Sequence, residues 1–294
     1  MGVPRDSRRS DGRSARPSTD RDSRTMRFQR VFEQVFFRPW FITAEGHAAV
    51  ARVVKNAIVR ADHMPGAEMF ANPREEMEIL PSGIAKIHVC GVLGKGLSQI
   101  EKSCGNSDYE DIADEIESAV EEGARGIFLE ISSPGGTVVG NAEIAEAVQA
   151  CPIPVLAFSD DLACSAAYNI AVSADWAFGT PSSTWGSIGT IIPWIDQSAM
   201  WAAEGMDWQP ITNAEGDLKA AMHGPSLTPD QRASLEQYVQ DAFEQFRGNV
   251  LRRRLVSADA MRGQAFLAPR ALANNLIDKI ALEDEAMAFL ETQL

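Results

Sequence analysis

The sequence has no run of apolar residues approaching the roughly 18 that a membrane-spanning helix needs. Its longest apolar runs are of strand length. The opening MGVPRDSRRS is not followed by the apolar core of a secretory leader. These absences predict a chain that is neither anchored nor exported, and so a cytoplasmic one. Cysteine is scarce. Cys90, Cys104, Cys151 and Cys164 show no C-x-x-C spacing, which argues against a disulfide framework and a zinc site and for free or buried thiols. Positive charge is in deficit, with 27 Lys and Arg against 41 Asp and Glu, a net charge of −14. Such a balance disfavours nucleic acid, whose binding rests on phosphate neutralisation. The exception is the amino-terminal stretch 1–30, which holds nine Arg and four Asp and leaves the rest of the chain at −19. Nucleic acid or an acidic partner is therefore left to this tail. The plainer reading is a solvated extension, or sequence upstream of a start at Met26.

At 294 residues and 45% hydrophobic content, the chain can bury a sizeable core. Residues 1–26 are expected to be a disordered basic tail. Residues 27–80 are expected to form a helical arm, from FQRVFEQVF to AEGHAAVARVVKNAIV. The main domain is expected over 81–284, with the end of a last helix over 285–294. Within it, GIAKIHVCGVLG (83–94), GIFLEIS (126–132) and IPVLAF (153–158) read as strands. Residues 109–122, with Ile112, Ile116 and Val120 four apart, and AEIAEAVQA (142–150) read as helices. Strands alternating with helices predict an α/β fold with a mostly parallel sheet. Later, Thr228-Pro229-Asp230-Gln231 has the form of a capping box, opening a helix over 229–254.

In an α/β sheet, chemistry gathers beyond the carboxyl ends of strands. Two such ends stand out. Ser132-Ser133-Pro134-Gly135-Gly136 follows the second strand. Its glycines would let backbone N–H groups approach a developing oxyanion; equally, they would make an ordinary strand-to-helix turn. Ala163-Cys164-Ser165-Ala166-Ala167-Tyr168 follows the third strand, and there Ser165 is either a nucleophile among small neighbours or a helix cap. A nucleophilic serine needs a base. His47 and His63 precede the core and His88 lies inside a strand, which leaves His223 as the one plausible histidine. Lys219 is the only lysine between Lys102 and Lys279. A lysine acts as a base only when neutral, a form favoured by burial or a positive neighbour. On spacing alone, Lys219 reads equally as one more exposed lysine.

The segments taken together resemble the signal peptide peptidase A family of Ser–Lys peptidases, and most of all its bacteriophage head-maturation branch. The resemblance runs over about residues 84–280. Its motifs occur in family order: CGVLG, ISSPGG, ACSAAY, ADWAFGTPSSTWGSIGT, DLKAAMHGP and GQAFLAPRALANNLID. It implies a crotonase-like or Clp-like superhelix of βα units, with Ser165 as nucleophile and Lys219 as base. It further implies an oxyanion hole from the N–H groups of Gly136 and Ala166 beside Gly135, and Ser187 as the serine that orients the lysine. It implies no metal or cofactor. Homo-oligomeric rings, some with one site built from two subunits, and scaffolding or capsid proteins as substrates are implied too, placing the chain in the host cell interior and in the procapsid. Three segments depart from the family pattern. Cys164 and Ala166 flank the serine where Ala or Ser and Gly are usual, AEGDLK lacks the aromatic or His common before the lysine, and Asn275 stands in place of Gly.

Three other readings share the scaffold. A crotonase-type acyl-CoA enzyme ordinarily lacks the Ser–Lys pair, so ACSAAY and GSIG speak against it. An inactive assembly protein would not need Ser165 and Lys219. A cellular signal-peptide-degrading peptidase ordinarily carries a membrane segment.

Overall fold

The computed structural model describes residues 39–59, 74–194, 196–207, 209–222 and 226–294. The basic tail, the FQRVFEQVF part of the arm and His223 lie outside the described residues.

Among the described residues ten strands form one sheet: β1 (Trp40–Ile42), β2 (Glu78–Ile79), β3 (Ile84–Leu93), β4 (Gly126–Thr137), β5 (Val155–Ser159), β6 (Leu162–Cys164), β7 (Trp176–Gly179), β8 (Thr184–Gly186), β9 (Ala265–Leu267) and β10 (Lys279–Ile280). Along the sheet the order is β10-β7-β5-β4-β6-β8-β9, with β3 also on β4, β2 on β3, and β1 on the end of β4. Among the described residues six pairings are parallel, and only β1–β4, β2–β3 and β8–β9 are antiparallel. The α/β fold with a mostly parallel sheet is therefore present. The main helices are α1 (Ala44–Val59), α2 (Tyr109–Glu121), α3 (Asn141–Gln149), α4 (Ala166–Ala171), α5 (Pro229–Arg253) and α6 (Glu283–Glu291).

The near-continuous apolar runs of the central strands follow from burial on both faces. Along β4, Ile127, Leu129 and Ile131 enter one core, which also holds Ile112 and Ile116 of α2 and Ile144 and Val148 of α3. Phe128 points the other way, joining Leu156, Phe158, Phe178 and the α6 residues Ala286 and Leu290. The period-two alternation of a strand feeds two hydrophobic layers at once. The capping box of α5 is formed: Gln231 N donates to Thr228 Oγ1 at 3.2 Å, and Thr228 N donates to Gln231 Oε1 at 3.1 Å. Asn275 has φ 59°, the left-handed turn expected of it, and its Nδ2 donates to the Leu255 carbonyl.

Two expectations change. Residues 40–42 of the helical arm are a strand, and the helix there begins only at Ala44. Gly135-Gly136 is not a turn into a helix: β4 continues extended through Thr137 and α3 starts at Asn141. The glycines explain the continuation. A Cβ at Gly136 would lie 2.0 Å from the Leu93 carbonyl oxygen, so only glycine lets β3 pair this far along.

Candidate active site

Three parallel strands deliver three residues to one place. β4 pairs with β6 at Ser133–Ala163, and β6 pairs with β8 at Cys164–Gly186. Within two residues beyond these pairs along the strands lie Gly135, Ser165 and Ser187. All three have left-handed φ: 111°, 56° and 53°. Ser165 and Ser187 are non-glycine residues, in a region that L-residues enter only at a cost of about 1–3 kcal/mol each. Backbone bonds hold them there: Ser165 N donates to Gly186 O at 2.7 Å, and Ser187 N to Gln264 O at 2.9 Å. The bend at Ser165 ends β6 and starts α4, so the serine sits at the tip of a strand-to-helix elbow.

Ser165 makes no side-chain cap bond to α4. Its Oγ is fully buried and has no hydrogen-bond partner among the described residues. A buried hydroxyl without a partner is an expense in stability that a cap would have avoided. Gly135 lies directly against it, where an added Cβ would come 2.9 Å from Ser165 Cβ. Its N–H donates to the buried Ser133 Oγ at 3.1 Å. Ala166, at the first position of α4, is completely buried. Gly136 is locked between Leu93 on one side and Phe41 on the other.

Lys219 is placed otherwise. It lies on a 3-10 helix, Ala214–Met222, with its side chain exposed, and it makes no hydrogen bond to Ser165. Ser165, Gly135, Gly136, Ala166 and Ser187 thus converge, and Lys219 makes no hydrogen bond to the serine they surround. The neighbouring Cys164 is buried, its Sγ donating to the Thr184 carbonyl oxygen at 3.8 Å; burial pushes its thiol up to about 12, which keeps it protonated at neutral pH.

One group escapes detection in the sequence. Beneath α4 runs a buried chain of amides. Asn141 Nδ2 donates to Ala166 O (3.0 Å), Asn169 Nδ2 to Asn141 Oδ1 (2.8 Å), and Asn249 Nδ2 to both Asn169 Oδ1 (2.8 Å) and Ser173 Oγ (2.9 Å). This relay ties α3, α4 and α5 together behind the serine. Its members are 28 to 108 positions apart (Asn141, Asn169, Asn249), and only the polar character of Asn249 on the inward side of an otherwise apolar helix stripe hints at it.

Among known proteins, the chain is 26% identical over 219 residues to a candidate signal peptide peptidase SppA of Enterococcus faecium, covering 71% of this chain and 63% of that one. It is 26% identical to the head-tail preconnector protein GP5 of Enterobacteria phage P21, covering 72% and 44%. It is 24% identical to the capsid assembly protease C of Escherichia phage lambda, covering 73% and 51%. The chain thus spans less than two thirds of the length of each. The model of peptidase family S49 matches residues 147–294, which include Ser165, Ser187 and Lys219. By that match over half its length, the chain belongs to peptidase family S49.

Proposed function

We propose that the chain is a serine endopeptidase in which Ser165 is the nucleophile and Lys219 the general base. The observation that carries this reading is the elbow at Ser165: a buried hydroxyl without a partner, held at φ 56° and ψ −117° against glycine backbone. Strain of this kind, maintained by the surrounding sheet, is characteristic of functional positions. Ser165 Oγ attacks the scissile carbonyl carbon, its proton passing to neutral Lys219. The oxyanion is held by the N–H groups of Gly136 and Ala166. The protonated lysine then gives the proton to the leaving amine, and water releases the acyl group by the reverse path. Ser187, beside Ser165 at the end of β8, orients the lysine amine.

Lys219 is exposed on its 3-10 helix, and this fits a base that joins the serine only when that segment is packed down by a second copy or by substrate. Homo-oligomeric rings supply such packing. The substrates proposed are flexible segments of scaffolding or capsid proteins, cut during phage head maturation in the host cell interior. Relatives carrying capsid-assembly and head-tail names support this branch. Cleavage of signal peptides is the second reading, supported by the Enterococcus relative.

The chemical test uses a fluorophosphonate, which phosphonylates an activated serine with loss of fluoride, alongside hydrolysis of an unstructured protein. Ser165→Ala and Lys219→Ala are expected to lose both reactions, and His223→Ala to keep most activity. Loss in His223→Ala with retention in Lys219→Ala would assign the base to the histidine. For the substrate, co-expression with capsid and scaffold genes separates the two branches. Shortened scaffold or capsid protein from wild type, and full-length protein from Ser165→Ala, is the expected pair of results.

A further inference from the structure

A peptidase must bring a peptide bond to its nucleophile, yet Ser165 is fully buried. Something in the structure therefore occupies the substrate's place. The residues against the serine identify it. A Cβ on Gly135 would touch Ser165 Cβ at 2.9 Å, the Phe41 carbonyl oxygen at 2.1 Å and Ile42 Cα at 3.0 Å. The Phe41–Ile42 peptide group and Ser165 thus press on the same glycine. β1 runs antiparallel to Gly135–Thr137, with Phe41 opposite Gly136. Thr43 N donates to Pro134 O (3.0 Å) and Val138 N to Pro39 O (3.4 Å). On its other edge Trp40 exchanges both backbone bonds with Ile191, at 2.9 and 3.1 Å. A three-residue strand held by main chain on both sides, with a peptide group against the glycine that abuts Ser165, is the geometry of an extended peptide added to a sheet edge.

We infer that β1 is a built-in substrate mimic. Residues 39–43 fill the groove between Pro134–Val138 and Ile191 and must leave it before a substrate strand can enter. This deepens the peptidase reading and rests on it. The groove takes an extended peptide with a bulky apolar residue opposite Gly136. There Phe41 is buried against Phe246, ring centroids 4.9 Å apart, and Trp40 and Ile42 on either side are buried as well. The sheet can lose β1 without breaking a parallel ladder, since β4 keeps β3, β5 and β6. Tethering gives the strand an effective concentration of about millimolar, so it closes the groove against dilute peptides and yields to a tight or locally concentrated one.

The test uses the whole chain carrying Ser165→Ala, so that nothing is processed. A synthetic hexapeptide with the sequence of Pro39–Ala44, blocked at both ends and carrying a solubilising lysine tag, is added at several millimolar. Amide hydrogen exchange is then followed residue by residue. With the peptide seated, the amides of Trp40 and Thr43 are expected to exchange at least tenfold faster. Ile191, now bonded to the peptide, stays protected, and the amides of β5 do not change. Unaltered exchange at Trp40 and Thr43 would overturn the inference and make β1 a permanent strand. The readout does not depend on the chemistry of Ser165. A chain that exchanges its strand but whose wild type cleaves neither the seated peptide nor an unstructured protein keeps the groove and loses the peptidase reading; cleavage lost in Ser165→Ala together with an unexchangeable strand does the reverse.

Discussion

Asn249→Ala probes the amide relay behind the serine. Asn249 lies on the inward face of α5, 6% exposed, and its Nδ2 donates to Asn169 Oδ1 and Ser173 Oγ. Its Oδ1 accepts from Arg252 at 3.1 Å. Each hydrogen bond contributes about 1 kcal/mol net, and a buried acceptor left without its donor costs about 1–3 kcal/mol. Asn169 Oδ1 loses its donor, whereas Ser173 Oγ still donates to Asn169 O at 2.9 Å. The expected loss is therefore about 2–4 kcal/mol, read from urea unfolding at constant m-value. Ser173→Ala removes one acceptor and leaves Asn249 its bond to Asn169, so about 1 kcal/mol is expected. Combining the two should give less than the sum, because the Asn249–Ser173 bond is counted in both single variants. Function should follow. Asn169 passes the contact to Asn141, which holds Ala166 O at the first turn of α4, so Asn249→Ala should slow fluorophosphonate labelling of Ser165 well below the stability limit. A loss under about 0.5 kcal/mol with strictly additive variants would show that the relay does not hold α4.

Three other outcomes can be checked. Gly136→Ala places a methyl group 2.0 Å from the Leu93 carbonyl and should cost about 3 kcal/mol or more by thermal or urea unfolding, whereas an alanine tolerated there would refute the close β3–β4 approach. Thr228→Ala should cost about 1 kcal/mol through loss of the capping box, with the amino-terminal turn of α5 exchanging its amides faster. The hydrogen bond from His88, with Lys86 beside it, holds the Glu130 carboxyl down at about 2, so its stabilisation is present above its ordinary value of 4.5 and fades as pH falls toward 2. The group is half-buried and screened, so Glu130→Gln should flatten that acid limb by about 1 kcal/mol; an unchanged pH profile would refute the coupling.

The sequence legibly announced what local chemistry dictates. The alternating, β-branched run GIAKIHVCGVLG, the short apolar runs GIFLEIS and IPVLAF, the four-residue spacing of Ile112 and Ile116, and the capping box at Thr228 each encode their element within a dozen residues, and the structure has them. Ser165 was marked by small neighbours after a strand, although its left-handed backbone was not. That conformation is imposed by pairing with β8, more than 20 residues away. Gly135-Gly136 misled because a glycine pair has the same local meaning in a turn and in a crowded strand; only Leu93 and Phe41, brought there by tertiary structure, decide between them. The strand Trp40–Ile42 was hidden for a similar reason. Three apolar residues beside a helical pattern carry no period of their own, and their partner strand lies about 95 positions downstream. The amide relay was the least visible, since single asparagines acquire meaning only when folding sets them side by side.

β4 serves both hydrophobic layers, and this gives the two halves of the site different lifetimes on heating. The glycine backbone and the Ser165 elbow are fastened to a strand that can open only when both cores open, so their opening free energy approaches that of the whole molecule. The 3-10 segment bearing Lys219 is largely exposed and shares neither core, so it opens at far smaller cost. Under the Ser165–Lys219 reading proposed above, warming would thus loosen the segment that must bring the lysine to the serine while the surroundings of Ser165 remain assembled. The proposed hydrolysis would then fade reversibly at temperatures where circular dichroism still reports a folded protein, and cooling would restore it without refolding.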